Sequence, residues 1–312
     1  MPTDVDAGAT VSFILIGDQG TQDATQRATA QAIKTVCDER GCDFAIALGD
    51  NIYDVGPVAG PYDPQFTTAF EEPYAALDFP WYLTLGNHDD GGTGDVVLFG
   101  DYEVAYSQRT DTSGKWRMPS RYYNQTFNDG LLELWSIDGD TLTTYGRLEP
   151  DDIRLGPDVL YDGAAQRAWL HDSVRGSDAT WKVVFGHYEY SSNGNYGDGD
   201  SDFKAVFEET LCDHAQFYFH GHEHDLRWLA PQTDCGRTEF IVSGAGARAE
   251  TRTPDDQGNP EYFNYRETPG FFWIDFNGTT MTAIAYGTDD AVDGTHPVEV
   301  FRRVVTLGAL GW

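Results

Sequence analysis

Val11-Ser12-Phe13-Ile14-Leu15-Ile16-Gly17-Asp18-Gln19-Gly20 joins an apolar run rich in branched residues to a glycine and then a carboxylate. A short, nearly unbroken run of this kind is the pattern of a strand buried on both faces. Asp18 is then delivered at its C-terminal end. The arrangement returns twice: Phe44 to Leu48 closes in Gly49 and delivers Asp50, and Trp81 to Leu85 closes in Gly86 and delivers Asn87 and His88. Between the first two, Thr21 to Arg40 carries alanines, Ile33 and Val36 at helical spacing, and Gly41 follows as a stop. Strands that alternate with helices and end in glycine plus a polar residue predict an α/β fold with its site at the C-terminal strand edge.

Outward from there, Leu131 to Ile137 reads as a strand and Ala164 to Val174 as a helix. Val183 to Phe185 leads through Gly186 into His187, Phe203 to Cys212 reads as a helix, and Phe217 to Phe219 is a strand entering His220, Gly221 and His222. Beyond Arg237 the texture is antiparallel. Phe240 to Ser243, Phe271 to Phe276, Met281 to Tyr286 and Val298 to Val305 are expected to build mainly a second sheet, with Asn277-Gly278 as a hairpin turn. Gly91 to Asn124 and Asp140 to Asp162 lack periodicity and read as surface loops. One elaborate domain over residues 1–312 is expected, with Met1 to Thr10 as a tail that would be the mature N-terminus had a leader been removed.

The 51 acidic side chains stand against 20 basic ones, for a net charge of −31. That balance argues against nucleic acid and anionic membranes as partners, because both are held by clustered positive charge. It also means that a site for an anion needs strong local cations of its own. No run approaches the roughly 20 apolar residues of a membrane span. The four cysteines fall into local pairs, Cys37 with Cys42 and Cys212 with Cys235. Disulfides there point to a secreted or periplasmic location, and four buried thiols are the alternative.

The polar residues at strand ends are Asp18, Asp50, Tyr53, Asn87, His187, His222 and His224. Oxygen donors mixed with imidazoles suit two borderline metals such as Fe, Zn or Mn. The blocks Gly17-Asp18-Gln19-Gly20, Leu48-Gly49-Asp50-Asn51-Ile52-Tyr53, Gly86-Asn87-His88-Asp89, Gly186-His187 and Gly221-His222-Glu223-His224 resemble, in order, those of the calcineurin-like metallophosphoesterases. Tyr53, three residues after Asp50, resembles the iron-ligating tyrosine of the purple acid phosphatase branch.

The resemblance implies a four-layer αββα sandwich of two mixed sheets flanked by helices. It implies a trivalent iron held by Asp18, Asp50, Tyr53 and His224, and a divalent Fe, Zn or Mn held by Asn87, His187 and His222, with Asp50 bridging. The implied reaction is hydrolysis of phosphate monoesters of small molecules, by attack of a hydroxide held between the ions, with inorganic phosphate as product; separately, a monomer is expected. His88 is expected as general acid or transition-state stabiliser, oriented by Asp89. Two features depart from the family: Glu189 stands where a proline is usual, and the loop Ser191 to Asp202 carries Asn195 and Tyr196 but no histidine. Alternative readings are a phosphodiesterase or nucleotide pyrophosphatase with the same centre, or a metal-binding secreted protein without catalysis.

Overall fold

The computed structural model describes residues 10–91, 99–142, 163–250, 257–288 and 296–312. Its strands are β1 (Thr10–Ile16), β2 (Phe44–Ala47), β3 (Trp81–Leu83), β4 (Trp116–Arg117), β5 (Tyr123–Phe127), β6 (Leu132–Ser136), β7 (Trp181–Phe185), β8 (Phe217–His220), β9 (Leu226–Leu229), β10 (Glu239–Ser243), β11 (Glu261–Tyr265), β12 (Gly270–Asn277), β13 (Thr280–Thr288) and β14 (Pro297–Thr306). They form two seven-stranded mixed sheets, ordered β14-β13-β12-β1-β2-β3-β4 and β11-β9-β10-β8-β7-β6-β5.

Phe13 to Ile16 are fully buried, so β1 has to be central. Parallel β2 covers one edge, and antiparallel β12 covers the other, with Phe13 opposite Ile274. This corrects the expectation of a second sheet for three of the four late strands; Phe240 to Ser243, in β10, does join the second sheet. An open edge on an apolar central strand needs a partner, and β12 to β14 supply it. The second sheet comes from the middle of the chain. Asn277 pairs with Thr280, so the hairpin turn falls one residue later than the Asn-Gly pair, on Gly278 and Thr279. The expected tail is shorter by one, because Thr10 pairs with Asn277 and only residues 1–9 lie outside the described residues.

Strand alternation sorts the second sheet's side chains between two cores. Phe217 and Phe219 face the first sheet, where Trp181 meets Phe276 at 5.0 Å and Phe13 meets Phe219 at 6.5 Å. Tyr218 and Phe240 turn outward, to a layer made by helices Gly163–Gly176 and Ser201–Thr210 through Leu170, Val174, Phe203 and Phe207. Helix Ala24–Arg40 covers the first sheet with Ala30, Ile33 and Val36. Asp23 caps that helix, accepting from Gln26 N at 3.0 Å, and Gly41 ends it at φ 81°. The result is the expected αββα sandwich of two mixed sheets.

The segment Gly91 to Asn124 is more than a surface loop. It contains helix Gly100–Ser107 and strand β4, because Tyr106 stacks on Phe66 at 3.8 Å and Trp116 packs edge-on against both. Tyr106 and Trp116 anchor this stretch on Phe66 without any periodic pattern, and its residues 92–98 lie outside the described residues. Of Asp140 to Asp162, residues 140–142 belong to a helical turn, Gly139–Leu142, and the rest lie outside the described residues.

Both cysteine pairs are disulfides, with Cα separations of 5.2 Å for Cys37–Cys42 and 4.7 Å for Cys212–Cys235. The second ties the end of helix Ser201–Thr210 to the turn before β10. Replacing Cys212 and Cys235 by serine is expected to lower unfolding free energy by about 3 kcal/mol, since the bridge limits the unfolded chain. Equilibrium denaturation measures this; a loss below about 1 kcal/mol would show that the folded contacts alone hold this corner.

Candidate metal centre

Every predicted ligand lies just past the C-terminal end of a strand: Asp18 after β1, Asp50 and Tyr53 after β2, Asn87 after β3, His187 after β7, and His222 and His224 after β8. Three of them bend the backbone unusually. Asp18, Asp50 and His222 have φ of 58°, 53° and 66°, a left-handed conformation that costs a non-glycine residue on the order of 1 kcal/mol or more. Strain of this kind persists where the surroundings impose it, and here it falls on three of the seven candidate ligands.

Two donor groups result. Tyr53 Oη donates to Asp18 Oδ1 at 3.0 Å and lies 3.5 Å from His224 Nε2, which is 3.4 Å from the same carboxylate oxygen. On the other side, His187 Nε2 lies 3.1 Å from Asn87 Oδ1 and 3.2 Å from His222 Nδ1. Asp50 sits between them: its carboxylate is 3.5 Å from His187 Nε2 and interacts with the Tyr53 phenol. His187 Nδ1 donates to the Leu48 carbonyl at 2.7 Å, which leaves Nε2 as the free ligand atom.

This arrangement fits metal ions on three counts. Ligand atoms of Asp18, Asp50 and His187 all lie within 4.8 Å of one another and are buried. Glycine keeps the backbone close: a Cβ on Gly86 would lie 2.4 Å from Asp50 Oδ1, and one on Gly221 would lie 2.5 Å from Asp18 Oδ2. Charge is the third. Burial pushes the Asp18 carboxyl up, and burial works against charge on His187, yet Asp50 and Asp18 hold that imidazole up at about 9. The pocket is anionic enough to draw positive charge into itself.

His88 lies at the mouth, with Nε2 3.9 Å from Asp50 Oδ2 and its ring 4.5 Å from that of Tyr53. Its Nδ1 donates to the Asp54 carbonyl at 2.6 Å, and this corrects the expected role of Asp89 as its orienting partner. The Asp89 carboxylate turns away into the interior, accepting from Gly86 N at 2.8 Å, Ile52 N at 3.0 Å and Asn51 Nδ2 at 3.1 Å. Burial, then Asp50, pushes it up to about 7, and Glu103 beside it is also raised. It braces the two loops that carry Asp50 and Asn87.

The loop after His187 is pinned by Glu223, whose carboxylate accepts from Ser192 Oγ, Asn195 N and Tyr196 N at 2.7–2.9 Å. Tyr196 thereby stacks on the His222 ring at 4.3 Å. Glu189, in place of the proline, is buried and pushed up by that burial to about 8. His220 is buried against Tyr218. Of the loop carboxylates, Asp200 caps helix Ser201–Thr210 and Asp198 pairs with Lys204 at 3.1 Å, so both have structural partners. A second acidic group, Asp90, Asp138 and Asp140, is built around the Arg121 guanidinium, which donates to Asp138 Oδ2 at 2.6 Å and also reaches Asp90.

A family model described as calcineurin-like phosphoesterase matches residues 11–226, from β1 through the last histidine block. The chain belongs to the calcineurin-like phosphoesterase family. Within that family it is similar to purple acid phosphatases. It is 29% identical over 258 residues to purple acid phosphatase 7 of Arabidopsis thaliana, covering 80% of this chain and 74% of that one. It is 28% identical over 250 residues to tartrate-resistant acid phosphatase type 5 of Sus scrofa, covering 75% and 69%. Among solved structures, GAP50, the anchor in the inner membrane complex of Plasmodium, shares the fold with a TM-score of 0.74 at 18% identity, over 95% of this chain and 89% of that one. Among the described residues no helix is long and apolar enough to cross a membrane.

One cation at the mouth carries no sequence signal. Arg248 lies over the Tyr53 ring, 4.0 Å from its centroid, and donates to Asp54 Oδ1 at 3.0 Å. It follows Gly244-Ala245-Gly246-Ala247, a stretch outside the motif blocks.

Proposed function

We propose that this phosphoester hydrolase is a phosphomonoesterase of the purple acid phosphatase type, acting on small phosphorylated molecules and releasing inorganic phosphate. Fe(III) would be held by Asp18, Tyr53 and His224, and Fe(II), Zn or Mn by Asn87, His187 and His222, with Asp50 shared. The observation that carries this reading is the Tyr53 phenol meeting both Asp18, at 3.0 Å, and His224, at 3.5 Å. A phenolate among a carboxylate and an imidazole suits a hard trivalent ion better than a soft one.

When bound, the two ions supply an acidified water and neutralise phosphate charge. This chain's residues do the rest. Asn87 and His222 are half-buried, and Tyr196 stacks on the His222 ring at 4.3 Å. His88, fixed at Nδ1 by the Asp54 carbonyl, presents Nε2 toward the pocket, where a protonated imidazole can pass its proton to the departing alkoxide. The net charge of −31 repels a free phosphate ester, so binding has to come from the centre and from the cation at its mouth, Arg248. The two disulfides support a secreted or periplasmic setting.

Metal analysis of protein purified without added metal, beside its visible spectrum and its rates on an aryl phosphate and a bis-aryl phosphate, tests the reading. Two metals per chain, a purple or pink tyrosinate-to-iron band and faster monoester cleavage are expected. Absence of the band in a metal-replete enzyme removes the iron, and faster diester cleavage moves the chain to the phosphodiesterases.

A further inference from the structure

Arg248 is a cation placed with care in a strongly acidic protein. The strap that carries it is tied down on both sides: Gly246 N donates to the Gly17 carbonyl at 3.0 Å, and Glu250 N donates to the His224 carbonyl at 2.8 Å. Between these anchors the guanidinium covers the Tyr53 ring at 4.0 Å and binds Asp54, the residue whose carbonyl holds His88. The guanidinium faces a phenol ring and an exposed carboxylate, and its charge also acts on His224, the imidazole beside the phenol.

We propose that Arg248 is a positioning residue that tunes the tyrosine ligand, setting through its charge the energy of the tyrosinate-to-iron transition. The inference rests on the iron reading given under Proposed function. In that transition an electron moves from the ring toward the ion beyond the phenolic oxygen. A positive charge over the ring face lies nearer the donor than the acceptor, holds the electron on the ring and raises the transition energy. Tyr53 is buried, while the guanidinium is 39% exposed and Asp54 82% exposed, so the charge acts on the ring at 4.0 Å with partial screening by water.

The test uses the iron-loaded enzyme and two variants. Arg248→Met keeps the length of the side chain and removes its charge; Arg248→Lys keeps the charge and removes the fork. The band of Arg248→Met is expected at longer wavelength than in the wild type, with iron content unchanged, and Arg248→Lys is expected to recover most of the shift. A role in packing alone would leave the lysine variant as displaced as the methionine one, and that result overturns the inference. So does an Arg248→Met band at the wild-type position, or loss of iron from Arg248→Met. A wild-type enzyme that holds iron without any tyrosinate band overturns the parent reading and this one together; a wild-type band that no variant moves overturns this one alone.

Discussion

An Asp50→Asn variant is expected to lose about 10³-fold or more in turnover on an aryl phosphate, equal to roughly 4 kcal/mol of barrier, and to hold fewer than two metals per chain. Asp50 is the carboxylate that reaches both donor groups, 3.5 Å from His187 Nε2 on one side and in contact with the Tyr53 phenol on the other. Asparagine keeps its shape but has half its oxygen donors and none of its charge. Asp50 also accepts from His88 N at 3.0 Å, which holds the loop carrying the proposed acid. The fold itself should survive, because a buried carboxylate costs desolvation that the amide does not. Elemental analysis beside steady-state rates decides the matter. Two tightly held metals and more than a tenth of the wild-type rate would exclude Asp50 as the shared ligand.

The second large effect comes from a residue with no side chain. In Gly86→Ala the new Cβ would lie 2.4 Å from Asp50 Oδ1, 2.5 Å from Asp50 N and 2.9 Å from His187 Cε1. A flexible side chain yields to such a contact; a backbone nitrogen pinned after a strand does not. The two strand ends must separate, at about 1 to 3 kcal/mol of stability. Asp50 and His187 then move apart, and metal binding and activity are expected to fall together. Gly176→Ala, where a Cβ would meet nothing within 4 Å, is the control and is expected to be neutral. Retained metal stoichiometry in Gly86→Ala would mean that the loops are slacker than their packing indicates.

The candidate ligands were legible because each sits at a strand end beside glycine, and strand ends are marked by a change in local chemistry: Ile16-Gly17-Asp18 needs no partner to be recognised. The partner of His88 was not legible. Asp89 adjoins it in sequence, but in a tight turn neighbouring side chains diverge, and Asp89 goes inward to Gly86, Ile52 and Asn51 while His88 finds a carbonyl one residue past Asp50's block, at Asp54. Arg248 was equally silent, since its role depends on a ring 195 positions earlier in the chain.

The sequence alone established that β1, β2, β3, β7 and β8 are buried strands delivering carboxylate, amide and imidazole groups, and that four cysteines lie in two local pairs able to bridge, because periodicity, glycine and spacing are properties of short segments. Tertiary structure alone decided that β12 to β14 close the first sheet, that Tyr106 and Trp116 bury a stretch without a pattern, and that Arg248 covers Tyr53. Those outcomes depend on which open edge and which apolar face lie within reach once the sheets form, and such information is carried by no single segment.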